Sequence, residues 1–280
     1  MRTWRKKLLA NRGSMISLVF LLIWVIFALS APLLPLAPPH AIFEGEQLKP
    51  PAWMEGGSWR FPLGTDDLGR DLLSRLLYGA QVSLGFGVLV VVLSVLVGGT
   101  LGVTAGYFGG WWDRTVLRLV DITMALPSLL LAIVVVAVLG PSLWNALWAV
   151  IVVALPGFIR ISRASVLAER EKEYVQASRA FGAGNLRQMV VTILPNCLAP
   201  MIVQASLGFS DGILNMAALG FLGLGAQPPT PEWGAMLADS KSYLESASWL
   251  VTWPGLCILS VVLAFNLLGD GLRDAFDPKL

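Results

Sequence analysis

The chain has 280 residues, of which 56% are hydrophobic and 14% are charged, with a formal net charge of +2 and a mean hydropathy of +0.71. A soluble domain carries about 25% charged residues, so this composition excludes an ordinary soluble fold. Two cysteines and one histidine also exclude a disulfide framework and a zinc module. We expect Cys197 and Cys257 to fill apolar space and His40 to be solvated.

Long segments without Asp, Glu, Lys or Arg alternate with short charged segments. A spanning helix needs about 20 apolar residues, and the uncharged segment 122–159 is long enough for two spans separated by a Gly-Pro-Ser turn at 140–142. The pattern predicts an all-α polytopic membrane protein with six transmembrane helices. These helices are expected at 14–33, 81–107, 117–139, 143–161, 198–222 and 248–269.

The basic residues predict the orientation. With the N-terminus inside, all but five of the 20 lysines and arginines fall in cytoplasmic segments, as the positive-inside rule requires. The termini, 1–13 and 270–280, are therefore expected in the cytoplasm. Cleavage of a signal peptide after Ser30 is an alternative, because Ala28 and Ser30 form a small-x-small site, and it would leave five spans. The loops are expected to be outside at 34–80 and 223–247 and inside at 162–196.

The first outer loop begins with a Pro- and Gly-rich stretch and ends in a predicted amphipathic helix at 66–79. Thr65 or Asp66 is a plausible N-cap, and Asp71 with Arg75 forms an i,i+4 ion pair. Such a helix is expected on the membrane surface or on the outer face of the protein. The alternative is a simple packing element.

Small residues recur along the second span. Gly98, Gly102 and Gly106 stand at every fourth position, and this spacing lets helix backbones approach closely. We expect the stripe to pack against another helix of this chain or of a second membrane subunit. In the second outer loop, a short helix is expected within 231–242.

Asp211 is the one acidic residue near the middle of a predicted span. A charge in the bilayer is costly and usually faces an interior or a wet cavity. One interpretation is that Asp211, with Asn215 one turn later, lines a translocation path. The other is that it is protonated, or hydrogen-bonded to Ser206, Ser210 or Asn215, and only fixes helix packing.

The inner loop at 162–196 predicts a helical hairpin outside the membrane. Its first helix is expected over 164–180 with Gly182 as its C-cap, and Asn185 is expected to cap a second helix that ends near Pro195. The first helix has a face of small residues suited to a groove in another protein. The alternative, a helix resting on lipid headgroups, requires larger apolar residues opposite the basic ones.

The run YVQASRAFGA at 174–183 resembles the EAA loop of ABC-importer permeases. Gly182, Leu194 and Pro195 match that motif in register, whereas Gln176 replaces its glutamate and Ser178 its second alanine. The resemblance implies that this loop couples the permease to an ATPase. The residues implied in that contact are Tyr174, Val175, Gln176, Ala177, Ser178, Arg179, Ala180, Phe181 and Gly182.

The resemblance covers nearly the whole chain. The segments LGTDDLGRDLLSRLLYGA, AALGFLGLGAQPPTPEWGAML and AFNLLGDGLRDAFDPKL are similar to the C-type permease subunits of dipeptide and oligopeptide ABC importers. The first of these contains a signature of that branch on the periplasmic side. The signature residues are Gly64, Thr65, Asp66, Asp67, Gly69, Arg70 and Asp71.

The resemblance implies a type I ABC importer permease fold with its core at 81–270, in the bacterial inner membrane. A second homologous permease would complete the path, two ATPases would bind ATP and Mg²⁺, and a periplasmic protein would deliver peptide. Lipid is an expected contact; nucleic acid, a cofactor and a metal are not. The sequence contains no G-x-x-x-x-G-K-[ST] motif, and none of its lysines follows a glycine, so ATP hydrolysis is expected in other chains.

Three other readings compete with a peptide importer. An intramembrane enzyme needs a nucleophile with its base, or metal ligands, and the predicted spans offer one Asp and two isolated cysteines. A passive channel leaves the hairpin without a role. Longer peptides, haem or nickel complexes are substrates of similar permeases.

Overall fold

The computed structural model describes residues 7–9 and 11–276, so parts of the predicted inner termini, at 1–6, 10 and 277–280, lie outside the described residues. Within the described part, five helices are long and apolar enough to cross a membrane, or six if one bent pair counts as a single span. The helices are α1 (Arg12–Ser30), α2 (Leu72–Phe108), α3 (Gly110–Met124), α4 (Ser128–Leu139), α5 (Leu143–Arg170), α6 (Glu173–Ala180), α7 (Asn185–Phe221), α8 (Trp233–Asp239) and α9 (Trp249–Phe276).

Helix α7 lies at the centre of the bundle and contacts α2, α5 and α9, while α1 packs on α2 and α9. Its apolar residues explain this position, because Phe209 and Ile213 are buried in the largest core cluster. The Phe209 ring stacks on Phe265 of α9 with ring centroids 3.7 Å apart. The central helix therefore contacts most of the elements that could line a path.

The glycine stripe of α2 faces α5 of the same chain. A Cβ atom on Gly102 would lie 2.5 Å from the carbonyl oxygen of Ile159, and one on Gly106 would lie 2.9 Å from the carbonyl oxygen of Arg163. The expected close packing is confirmed, and the partner is a helix of this chain. The stripe fixes α2 directly against α5.

The third predicted span, 117–139, is not one straight helix. Helices α3 and α4 meet at an angle of 93°. Pro127 explains the break, because it disfavours helical geometry at Leu126 before it and cannot donate a backbone hydrogen bond. The predicted six spans are reached only when this bent pair is counted as one.

The prediction of an amphipathic helix at 66–79 is wrong in three respects: its bounds, its ion pair and the exposure of its polar side. Helix α2 begins at Leu72, capped by the Asp71 carboxylate, and runs into the membrane segment without a break. That carboxylate accepts from the backbone N–H groups of Leu73 and Ser74, and Arg75 pairs with Asp66 rather than with Asp71. The polar side is also buried rather than exposed.

The inner helices differ from their predicted limits. The helix expected over 164–180 is interrupted, because Lys172 is extended (ψ 148°) between α5 and α6. Helix α7 starts at Asn185 and continues through Pro195 into the membrane segment, rather than ending there. A π-helical stretch at Gln188–Ile193 precedes the proline; its wider hydrogen-bonding pattern accommodates a ring that would clash in a regular α-helix.

The short helix expected in the second outer loop is confirmed as α8, which is inserted into the bundle. The Glu232 carboxylate caps it by accepting from the N–H groups of Gly234 and Ala235. Trp233 is fully buried and donates its indole N–H to the carbonyl of Leu76, 3.1 Å away. Helix α9 extends seven residues beyond its predicted end at 269.

Candidate functional site

Helix α6 and its flanking turns, which we call the α6 hairpin (171–193), are anchored to the membrane bundle by a small core. Val175 is 1% exposed and is buried with residues of α2, α5 and α7. The break before α6 points this valine into the bundle. Because three membrane helices share the core, a displacement of α6 acts on all three. The other members are Val103, Tyr107, Val166, Ile193 and Cys197.

A hydrogen-bond network fixes the same side of the hairpin. Tyr174 donates its hydroxyl to Glu169 and accepts from the Asn196 amide at 3.1 Å. Burial, and then the hydrogen bond to Glu169, raise the pKa of Tyr174 to about 12, so this donor keeps its proton at neutral pH. Lys172 also pairs with Glu169, at 2.6 Å.

The end of α6 is the turn that the sequence predicts. Gly182 has φ +83°, a backbone conformation that residues with a Cβ atom rarely adopt. The N–H of Gly182 donates to the backbone carbonyl of Arg179, and the N–H of Ala183 donates to the backbone carbonyl of Ser178. These two hydrogen bonds form a Schellman motif. Asn185 does not cap the next helix, since its side chain bonds the Tyr107 hydroxyl at 3.0 Å.

The opposite face of α6 is free of the bundle. Phe181 is 92% exposed, although large apolar side chains are usually covered in a complete assembly. Gln176 donates its side-chain amide to the carbonyl of Glu171 at 3.1 Å, a contact that a glutamate, having no N–H, could not make. The exposed residues of the predicted coupling motif are Tyr174, Gln176, Ala177, Arg179, Ala180, Phe181 and Gly182.

The 64–71 signature folds into a buried ionic cluster. The Asp66 carboxylate accepts from the backbone N–H groups of Leu68 and Arg70, and it pairs with the side chains of Arg70 and Arg75. Thr65 accepts from the N–H of Lys49 at 2.8 Å. These contacts tie the first outer loop to the start of α2, so the signature acts as a structural clamp.

We expect Arg75→Leu to lower the free energy of unfolding by about 2 kcal/mol. The substitution removes one partner of Asp66, 3.4 Å away, and the donor to the carbonyl of Pro39, 3.3 Å away. The measurement is the thermal unfolding midpoint of the purified protein in detergent. Arg60→Leu is the comparison, because Arg60 is exposed in the same loop and its guanidinium lies only over the rings of Phe43 and Phe61, 4.9 and 5.3 Å from their centroids; equal destabilisation by both changes would contradict the clamp.

Asp211 and Asn215 lie on the same wall of a cavity of about 290 Å³ between α5 and α7. The alternative in which Asp211 fixes packing through its neighbours is not supported. Ser206 and Ser210 donate to the carbonyls of Ile202 and Val262, and Asn215 donates to the Asp211 backbone. Asp211 as a residue is exposed.

Sequence reasoning missed two polar residues of this cavity, Gln204 and Ser128. Gln204 precedes Asp211 by seven residues, two helical turns, so helical periodicity places both on one face of α7. That signal was present in the sequence. Ser128 could not be found in this way, because its position depends on the bend between α3 and α4.

Comparisons with known proteins agree with this architecture. A family model described as "Binding-protein-dependent transport system inner membrane component" matches residues 98–280. A second model, the "N-terminal TM domain of oligopeptide transport permease C", matches residues 1–51. The fold and the hairpin thus define a permease of the ABC-importer class. The chain belongs to the family of binding-protein-dependent transport system inner membrane components.

Two relatives are similar over most of their length. The chain is 59% identical to the dipeptide transport system permease protein DppC of Escherichia coli strain K12, over 96% of this chain and 90% of the relative. It is 52% identical to the dipeptide transport system permease protein DppC of Haemophilus influenzae, over 96% of this chain and 92% of the relative. The predicted C-type permease resemblance is confirmed.

A solved structure supports the predicted fold class. An inward-facing form of the MetNI methionine ABC transporter matches with a TM-score of 0.59, covering 72% of this chain and 96% of that chain at 20% identity. At this identity the likeness concerns the fold alone. The predicted type I importer permease fold is confirmed.

Proposed function

We propose that this chain is one of two permease subunits of an ATP-driven importer that carries dipeptides or other short peptides across the bacterial inner membrane. The observation that carries the proposal is the 52–59% identity to dipeptide transport permeases over 96% of the chain. The exposed α6 face supports coupling to an ATPase, because its small residues suit insertion into a protein groove.

The proposed mechanism divides the work between chains. Two ATPases bind ATP and Mg²⁺ in the cytoplasm, and a periplasmic protein delivers the peptide. Closure of the ATPases moves α6, which shares its buried core with α2, α5 and α7, and thereby selects one of two packings of the bundle. The distribution of lysine and arginine supports a cytoplasmic location for both termini. The α6 hairpin then also lies on the cytoplasmic side of the membrane.

Reconstitution with the products of neighbouring genes tests this function. We expect two ATPases and a second permease to co-purify with the chain, and dipeptide with its binding protein to stimulate ATP hydrolysis and uptake in liposomes. Uptake that persists when ATP is replaced by a non-hydrolysable analogue would instead support a passive channel. Stimulation only by longer peptides, haem or nickel complexes would reassign the substrate.

A further inference from the structure

The cavity that contains Asp211 lies between α5 and α7. From α7, Gln204, Asp211 and Asn215 line one wall at helical spacing, and α5 supplies the apolar residues Val150 and Ala154. An adjoining cavity of about 410 Å³ shares Gln204 and reaches toward the far end of α9. The first volume, about 290 Å³, is close to the lower end of the range of small-molecule sites, about 300–1,000 Å³.

The chemistry of the first cavity is acidic and rich in acceptors. Asp211 carries the only formal charge among the described residues that line it. The Asn215 amide nitrogen donates to the Asp211 carbonyl at 2.8 Å, which leaves its side-chain oxygen available as an acceptor.

We propose that Asp211 receives the α-ammonium group of the transported peptide and is a specificity-determining residue of the path. An ammonium group offers three donors and requires several acceptors, which the Asp211 carboxylate and the side-chain amide oxygens of the same cavity provide. The remaining walls are apolar and uncharged, so they accept varied side chains while the end group is recognised. The inference rests on the proposed peptide-import function.

The second cavity contributes a charge of the opposite sign. Arg273 of α9 lines this second cavity, which meets the first cavity at Gln204. Gln204 precedes Asp211 by seven residues, about 10 Å along the helix, so the carboxylate of a dipeptide held at Asp211, about 7 Å away at full extension, does not reach this arginine.

The test measures peptide protection of a cysteine placed in the cavity. Ser128→Cys is a nearly isosteric change at an exposed position of the cavity wall. The assembled transporter, in nanodiscs without ATP or binding protein, is labelled with a water-soluble thiol reagent in the presence of alanyl-alanine or N-acetyl-alanyl-alanine. The parent protein, with its two buried native cysteines, gives the background.

We expect alanyl-alanine to protect the cysteine at an about tenfold lower concentration than its N-acetylated form, the factor expected for one hydrogen bond to a charged group. Asp211→Asn should reduce this difference to less than about twofold, and Asp211→Glu should retain part of it. The inference would be overturned if both peptides protected equally in the Ser128→Cys protein that retains Asp211. It would also be overturned if Asp211→Asn left the difference in protecting concentration unchanged.

Uptake measurements separate this failure from failure of the proposed function. If the reconstituted importer takes up dipeptide but neither peptide protects the cysteine, Asp211 is not the recognition point and the function stands. If there is neither uptake nor protection, the proposed function fails and the inference fails with it.

Discussion

Gly182→Pro should reduce peptide uptake at least tenfold while ATP hydrolysis by the assembled importer continues. Proline fixes φ near −65°, whereas Gly182 has φ +83°, and its N–H bonds Arg179. The substitution therefore breaks the Schellman turn and misdirects α6; a tenfold loss of uptake corresponds to about 1.4 kcal/mol in the transport barrier. The measurement is the ratio of peptide transported to ATP hydrolysed.

Gly184→Pro is the matched control for this change. It introduces the same residue two positions away, where φ is −68° and proline fits without strain. We expect its transport ratio to remain within about twofold of the parent, a difference of less than 1 kcal/mol. Unchanged coupling in Gly182→Pro would remove the α6 hairpin from the mechanism, whereas loss of assembly in both variants would show a folding defect instead.

The hairpin illustrates what local sequence signals predict. Gly182 was predictable as a C-cap because a left-handed residue after a helix is a local requirement. The interruption at Lys172 was not, because no proline or glycine marks it. It occurs where Val175 gains burial against α2, α5 and α7, and those partners are distant in sequence.

In the first outer loop, the sequence led to a wrong prediction of which side chains are exposed. The sequence predicted an amphipathic helix on the membrane surface or on the outer face of the protein, but burial of Arg70 and Arg75 depends on Asp66, whose carboxylate organises the turn before α2. Charged residues are rarely buried unless they are paired, and pairing depends on tertiary structure. For the same reason, sequence identified Asp211 in the candidate path but could not identify Ser128, which only the bend after α3 brings to it.

Gly102→Ala should destabilise the permease by about 3 kcal/mol, the upper end of the usual cost of overpacking. The new methyl group would lie 2.5 Å from the carbonyl oxygen of Ile159 and 2.8 Å from the Cβ of Ser162, so α2 and α5 must separate. Backbone atoms cannot move aside as a flexible side chain can. The measurement is the thermal midpoint of the purified protein, together with its recovery in complex with partner subunits.

Gly85→Ala provides the comparison on the same helix. Nothing lies within 4 Å of a Cβ atom at Gly85, so the methyl group adds only helix propensity, a gain of up to about 1 kcal/mol. Its midpoint should equal or exceed that of the parent. The two changes are chemically identical and differ only in what the methyl group meets. Equal midpoints would therefore show that close packing of α2 on α5 does not hold this bundle together.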